Sequence, residues 1–319
     1  MAVLVRLQDG TRYELLSVHL VGRSTTCQLE LDSRLVSASH AQLRWNGTSW
    51  EIHDLDSRNG TFVDGEQLGT GERRLLEVGS AIAFGDSDDV FELVDDSPPV
   101  AHATSANSKR QNIVEQLLVL PDAQTPEITI FCDRGRWMAE FGSNGERRAV
   151  ADGEILATSS DTFTLHLPIV VQETAPRESD RLVLHEIGLR FTVSRHEEHI
   201  QLSLLHGDTA IELSPRVHMD LLYRLAQARL DDQEKADISL DEQGWMYISE
   251  LLHDLGRKDD AGGRNLVCQH VYQAREQIAG AGVEDAPHVI ERRTTVATDR
   301  KRRAGQIRIG VKWLEIRST

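Results

Sequence analysis

The sequence predicts a multidomain chain: an all-β sandwich over residues 1–95, a flexible linker at 96–112, a β-rich module at 113–178 and an α+β domain at 180–319. Three observations predict it. The 319 residues exceed what one ordinary core accommodates. Up to Val94 the apolar residues alternate in short runs broken by Gly, Asp, Asn and Ser, the pattern of a sandwich. Beyond Ser214 the apolar period becomes helical.

Strands are expected at Met1–Leu7, Tyr13–Val18, Gln42–Trp45, Trp50–Asp54, Thr61–Val63, Ala81–Phe84 and Val90–Val94. Three loop signatures lie between them: Gly22-Arg23-Ser24, the Ser37 to His40 segment, and Asp54 to Gly65 with Asn59-Gly60-Thr61 at its centre. Loops on such a scaffold carry binding chemistry. Gly22 relieves a tight turn, so the planar guanidinium of Arg23 can be held for bidentate contact with a phosphate dianion. Ser37 adds a hydroxyl donor. Asn59, in an Asn-Gly turn, can hold its own loop and offer an amide to an incoming main chain.

Together the signatures resemble the forkhead-associated (FHA) domain, a phosphothreonine reader. The resemblance implies that Arg23 and Ser37 grip the phosphate and Asn59 the peptide backbone. It implies that His40, with Gly22, Gly60 and Thr61, supports the loops. Arg58 stands where many relatives have Ser or Thr and offers a second cation for the phosphate.

From Asp95 to Lys109 the chain is small, polar and proline-bearing, the composition of a flexible linker. In the middle module Ile128–Phe131, Arg136–Glu140 and Thr162–Leu167 read as strands separated by Gly-containing turns. Residues 153–165 faintly echo 79–93 without the loop signatures, so the module is assigned a packing or spacer role.

In the last domain Leu189–Val193, Ile200–Leu204 and Thr209–Leu213 alternate as strands. Ser214 and Pro215 predict a helix start, with Val217, Leu221, Leu222, Leu225 and Ala228 on one face and the acidic stretch 231–242 as a solvated loop beyond. A second helix is expected over Tyr247–Leu255, capped by Ser249 and ended by Gly256. A third spans Arg264–Ala279 and buries Val267, Val271, Ala274 and Ile278. That leaves Asn265, Gln269, Tyr272 and Glu276 opposite, with Cys268, Gln273 and Arg275 on the shoulders. A hairpin, Val289–Val296 and Gln306–Val311, closes on a basic tip at 299–303.

Residues 185–319 resemble the winged helix-turn-helix of OmpR-type effector domains, through the 213–226, 248–252, 271–275, 290–293 and 307–310 segments. The acidic loop and the enlarged wing depart from that pattern. The resemblance implies DNA contacts from Asn265, Gln269, Tyr272, Gln273 and Arg275 in a groove, and from Arg300, Lys301, Arg302 and Arg303 on the wing. Amides suit adenine edges, and the wing cations suit phosphates.

Charge agrees with that division. The chain carries a net −16, yet residues 286–319 hold 9 basic against 3 acidic side chains. The sequence has no phosphate-binding Gly-x-x-x-x-Gly-Lys, no Gly-x-Ser-x-Gly and no His-Glu-x-x-His, so a non-enzymatic protein is expected. Its three cysteines have no paired spacing, and His196-Glu197-Glu198-His199 reads as a hairpin turn, so neither metal nor cofactor is expected. The N-terminus is strand-like and no apolar segment approaches the ~20 residues of a membrane span, so a cytoplasmic location is expected.

The combined expectation is a bacterial phosphothreonine-dependent transcriptional regulator whose partners are a threonine-phosphorylated protein and DNA. The alternative is a phospho-dependent adaptor for kinase signalling or a secretion apparatus.

Overall fold

A computed structural model describes all residues except 70, 86–87, 108–109, 115, 143–144, 170–181, 196–198, 236, 297–302 and 319. The chain divides into two compact units, residues 1–102 with 165–172, and residues 103–164 with 173–319.

The first unit is a β-sandwich. One sheet orders Arg12–Glu14, Val3–Arg6, Val90–Asp95, Ala81–Phe84, Thr61–Val63 and Glu66–Gln67. The other orders Leu29–Glu30, Val18–Gly22, Ala41–Trp45, Trp50–Asp54 and Arg73–Leu76. Alternation puts Leu43, Ile52 and Trp50 of one sheet and Leu4, Ile82, Phe91 and Leu93 of the other into one core cluster. The register leaves the turns between strands, where the three signatures lie, at the rim.

The stretch expected to be a flexible linker is ordered in part. His102–Ser105 and Arg110–Asn112 are strands of a four-stranded sheet with Thr162–His166 and Ile155–Ala157. Small side chains fit this strand into a packed site: Ala101 and Ala103 are buried, and the His102 ring stacks on His166 at 4.6 Å. Composition alone had suggested solvation.

In the second unit, Leu118–Leu120, Ile128–Asp133, Arg136–Phe141 and Arg147–Ala149 form a further antiparallel sheet. The C-terminal part begins with Gly188–Val193, Ile200–His206 and Thr209–Leu213, and the last strand, Trp313–Ser318, pairs parallel to the first of these. Three α-helices follow among the described residues: α1 (Met219–Gln233), α2 (Ile248–Asp254) and α3 (Ala261–Gly280). The hairpin Ile290–Val296 with Arg303–Ile309 comes next.

Details differ from the sequence reading at the helix ends. α1 starts after His218 rather than at Ser214. α2 is capped through Tyr247, whose N–H donates to Glu250 at 3.1 Å, and not through Ser249. α3 gains a turn because Asp260 caps it, accepting from the Gly263 N–H at 2.9 Å.

The acidic stretch 231–242 is not a free solvated loop. α1 continues through Gln233, Asp232 accepts from the Gly244 N–H, and Glu242 pairs with Arg293 at the hairpin. Trp245 is held between the Arg293 and Arg308 guanidinium groups, 4.3 and 4.5 Å from its ring.

Val267, Val271, Ala274 and Ile278 do form the buried stripe of α3, against Leu221, Leu225, Leu252 and Ile307 among others. No residue of 103–164 belongs to this core cluster among the described residues. A small satellite cluster of Leu117, Val119, Phe131 and Tyr272 joins the middle sheet to α3. The His196 to His199 reading falls mostly on 196–198, outside the described residues, and no metal-holding cluster occurs among the described ones. No described helix is long and apolar enough to cross a membrane.

Candidate functional site

The three signatures converge through backbone bonds at one rim of the sandwich. The Arg23 N–H donates to the Ser37 carbonyl at 2.9 Å, and the Ser24 N–H to the Ala38 carbonyl at 3.1 Å. These bonds require close approach, and a Cβ at Gly22 would stand 2.3 Å from the Ala38 oxygen. Arg23 reaches back with its Nε to the Val36 carbonyl at 3.4 Å, while its side chain remains exposed.

The third signature ties onto the second. The Arg58 N–H donates to the Ser37 hydroxyl at 3.0 Å, and Asn59 Nδ2 donates to the Leu35 carbonyl at 2.8 Å. Because Ser37 Oγ accepts here, its own hydrogen is left to donate outward. Among the described residues no carboxylate pairs with Arg23 or Arg58, and both guanidinium groups are exposed.

His40 is fully buried beneath the loops. Its Nδ1 accepts from the Ser37 N–H at 3.0 Å, and its Nε2 lies 3.0 Å from the Gly60 carbonyl. The two contacts select the neutral ring with the proton on Nε2, which donates to Gly60. Burial pushes the His40 pKa down, in keeping with that neutral form, although the Gly60 bond opposes the shift.

Gly60 sits at φ +83° and its carbonyl also accepts from the Gly85 N–H at 2.9 Å. Thr61 Oγ1 and Ser57 Oγ both donate to Asp54 Oδ2 at 2.6 Å. Burial opposes ionisation of Asp54, but the Ser57 and Thr61 bonds outweigh it and hold its carboxyl below the usual range.

Sequence reasoning placed Arg23, Ser37, His40, Arg58, Asn59, Gly60 and Thr61 in one locality, and the structure brings them together. It missed Asp54 with Ser57, whose Asx-turn spacing was legible, and it missed Gly85. A Cβ at Gly85 would stand 2.3 Å from the Leu35 oxygen that Asn59 holds.

The FHA domain family model matches residues 19–85, the span from the strand before Arg23 to Gly85. This segment is an FHA domain. The FHA domain-containing protein FhaB of Mycobacterium tuberculosis (strain H37Rv) is 33% identical over 66 residues, covering 21% of this chain and 41% of that protein. Protein phosphatase 2C 70 of Arabidopsis thaliana is 33% identical over 75 residues, 23% of this chain and 13% of its own length. The chain thus spans less than half of these relatives.

Among solved structures, Mycobacterium tuberculosis EmbR in complex with a low-affinity phosphopeptide is 30% identical with a TM-score of 0.28, over 30% of this chain and 24% of that one. The N-terminal FHA domain of Saccharomyces cerevisiae Rad53p, solved with a phosphothreonine peptide, is 20% identical with a TM-score of 0.26, over 29% and 89%.

The residues expected to touch DNA are placed differently. Arg275 is fully buried and forms a bidentate pair with Glu140, at 2.8 and 3.0 Å, while its Nη2 donates to the Ile290 carbonyl at 2.7 Å. Tyr272 is 5% exposed in the satellite cluster. Neither is available at the surface of α3, because the middle sheet covers the side that helical periodicity had left to solvent.

Gln273 has a buried side-chain oxygen, and Asn265 and Gln269 are half-buried. Asn265 lines a cavity of about 410 Å³ with Pro126, Phe141 and Cys268. Arg300, Lys301 and Arg302 lie outside the described residues, and Arg303 opens the returning hairpin strand.

Glu140, 3% exposed, also contacts Arg147 at 2.7 Å and Arg292 at 3.3 Å. Burial opposes its ionisation, but Arg275, Arg292 and Arg147 hold its carboxyl well below the usual range.

Proposed function

We propose that this chain reads phosphothreonine on a partner protein through its FHA domain and conveys that event to a C-terminal winged-helix domain that binds DNA. One observation supports the first half most directly: Arg23, Ser37 and Arg58 stand on mutually bonded loops with their donors uncommitted to any described carboxylate. Two guanidinium groups and a hydroxyl suit a phosphate dianion, and Asn59 suits the main chain of its peptide. The test is titration of the full chain with a phosphothreonine peptide and its unphosphorylated twin. Preference for the phosphorylated form, lost in Arg23→Ala, is the expected result.

Support for the DNA half is the order of strands, three helices and hairpin, together with the basic excess in residues 286–319. A DNA reader loses affinity linearly on a log scale of salt, with a slope set by the phosphates neutralised. Fluorescence anisotropy of the full chain with duplex DNA across a salt series measures that slope.

A second reading, a phospho-dependent adaptor without DNA, is favoured by the burial of Arg275 and Tyr272. It predicts no salt-dependent DNA binding in any variant. Under either reading the partner is a threonine-phosphorylated protein, a kinase or a kinase substrate.

A further inference from the structure

We propose that residues 113–164 are a removable cover over α3, with Glu140 occupying Arg275 and Arg292 in the place of a nucleic-acid anion. The proposal rests on the DNA-binding reading above and specifies how that site is regulated.

Three independent observations carry it. The first is the partition of the cores. The C-terminal domain buries its own large apolar cluster, from Leu184 to Leu314, with no described contribution from the cover. Among the described residues Leu117, Val119 and Phe131 add a satellite cluster around Tyr272. A domain that is complete without its cover survives the cover's departure, as a domain sharing one core does not.

The second is the chemistry of the contact. Its centre is ionic: one carboxylate of the cover receives Arg275 and Arg292 from the C-terminal domain and Arg147 from the cover itself. A buried ion pair gains little over an apolar pair of similar volume, since both charges lose their hydration. What it provides is selectivity between an anionic occupant and none. Glu140 presents two oxygens to the Arg275 fork at 2.8 and 3.0 Å, the arrangement a phosphodiester or a guanine edge offers the same fork.

The third is position. Tyr272, opposite the buried stripe of α3, and Arg275 and Cys268, on its shoulders, all meet the cover, Cys268 through a bond from its Sγ to the Gly142 carbonyl at 3.3 Å. Tyr272 and Arg275, two of the side chains expected to reach DNA, are held by the cover.

The experiment locks and unlocks the cover in the full chain. An ideal Cβ at Gly142 would stand 2.8 Å from Cys268 Sγ, so G142C places a second thiol within disulfide reach of Cys268. Glu140→Arg sets a fourth cation against the three already there and releases the cover. Binding of a fluorescein-labelled random-sequence DNA duplex at low salt is read by anisotropy, with wild type under the same oxidant as control. Circular dichroism verifies that each variant keeps its helices.

The expected result is affinity raised about tenfold or more in Glu140→Arg, the scale of ordinary allosteric coupling, and abolished in oxidised G142C but restored by reductant. DNA binding that is equal in oxidised and reduced G142C overturns the cover while leaving the DNA-binding function standing. Absence of DNA binding in every variant overturns both. Should Glu140→Arg fail to fold, the redox pair of G142C decides alone.

Discussion

The Arg58 N–H donates to the Ser37 hydroxyl at 3.0 Å, so one side chain both closes the two loops and turns its remaining hydrogen outward. Under the proposed function Ser37→Ala removes a donor meant for the phosphate, together with the tie that positions Arg58. A hydrogen bond to a charged group contributes about 1.5–3 kcal/mol, so affinity for a phosphothreonine peptide is expected to fall roughly 10- to 150-fold. Arg23→Ala is expected to lose more, and Arg58→Ala less. Isothermal titration of the three variants ranks them.

Gly22→Ala tests the close approach of the first two loops. Its Cβ would meet the Ala38 carbonyl at 2.3 Å, which forces apart the pair of backbone bonds from Arg23 and Ser24. A cost of about 1–3 kcal/mol in urea denaturation is expected, with weaker phosphopeptide binding beyond what the unfolded fraction explains.

His19 gives the sandwich a pH dependence. Burial pushes its pKa from 6.5 down to about 4, and its Nδ1 accepts from the Leu16 N–H at 3.3 Å. The unfolded chain therefore takes up a proton that the folded one refuses as pH falls from 6.5 towards 4. The contribution is fully present above 6.5 and lost progressively below, by up to about 3 kcal/mol. Denaturation midpoints of the wild type should fall over that window, and those of His19→Gln should fall less.

Glu140→Gln leaves Arg275 and Arg292 buried without a counter-charge, which costs about 3–5 kcal/mol. Because the C-terminal core is separate, the loss should be local. Hydrogen exchange is expected to speed up in 128–149 well before 267–278.

Much of the sandwich was legible because its strands alternate and its loops carry residues whose chemistry has few other uses. Arg23, Ser37 and Asn59 could be placed together through the resemblance that their three loop signatures carry, since spacing alone puts them on loops without saying which loops meet. Asp54 escaped because it works on the Ser57 and Thr61 hydroxyls inside its own turn, and Gly85 because it works on neighbouring backbone, neither of which periodicity registers. The buried stripe of α3 followed from its period, but the fate of Tyr272 and Arg275 did not. A helix wheel distinguishes apolar from polar sides, and Glu140, far away in sequence, converted the polar side into an interior. The strand His102–Ser105 was missed for a related reason: its alanines and histidine look like linker until a partner strand is present to bury them.

Trp245, clasped between Arg293 and Arg308, provides an optical reporter within the protein. The emission of an indole depends on the electric field across its ring, and here that field comes from two cations rooted in the basic hairpin. Any ligand that draws either guanidinium away changes the colour and intensity of this one fluorophore. With the other tryptophans replaced by phenylalanine, engagement of the hairpin can be followed by light alone, without a label.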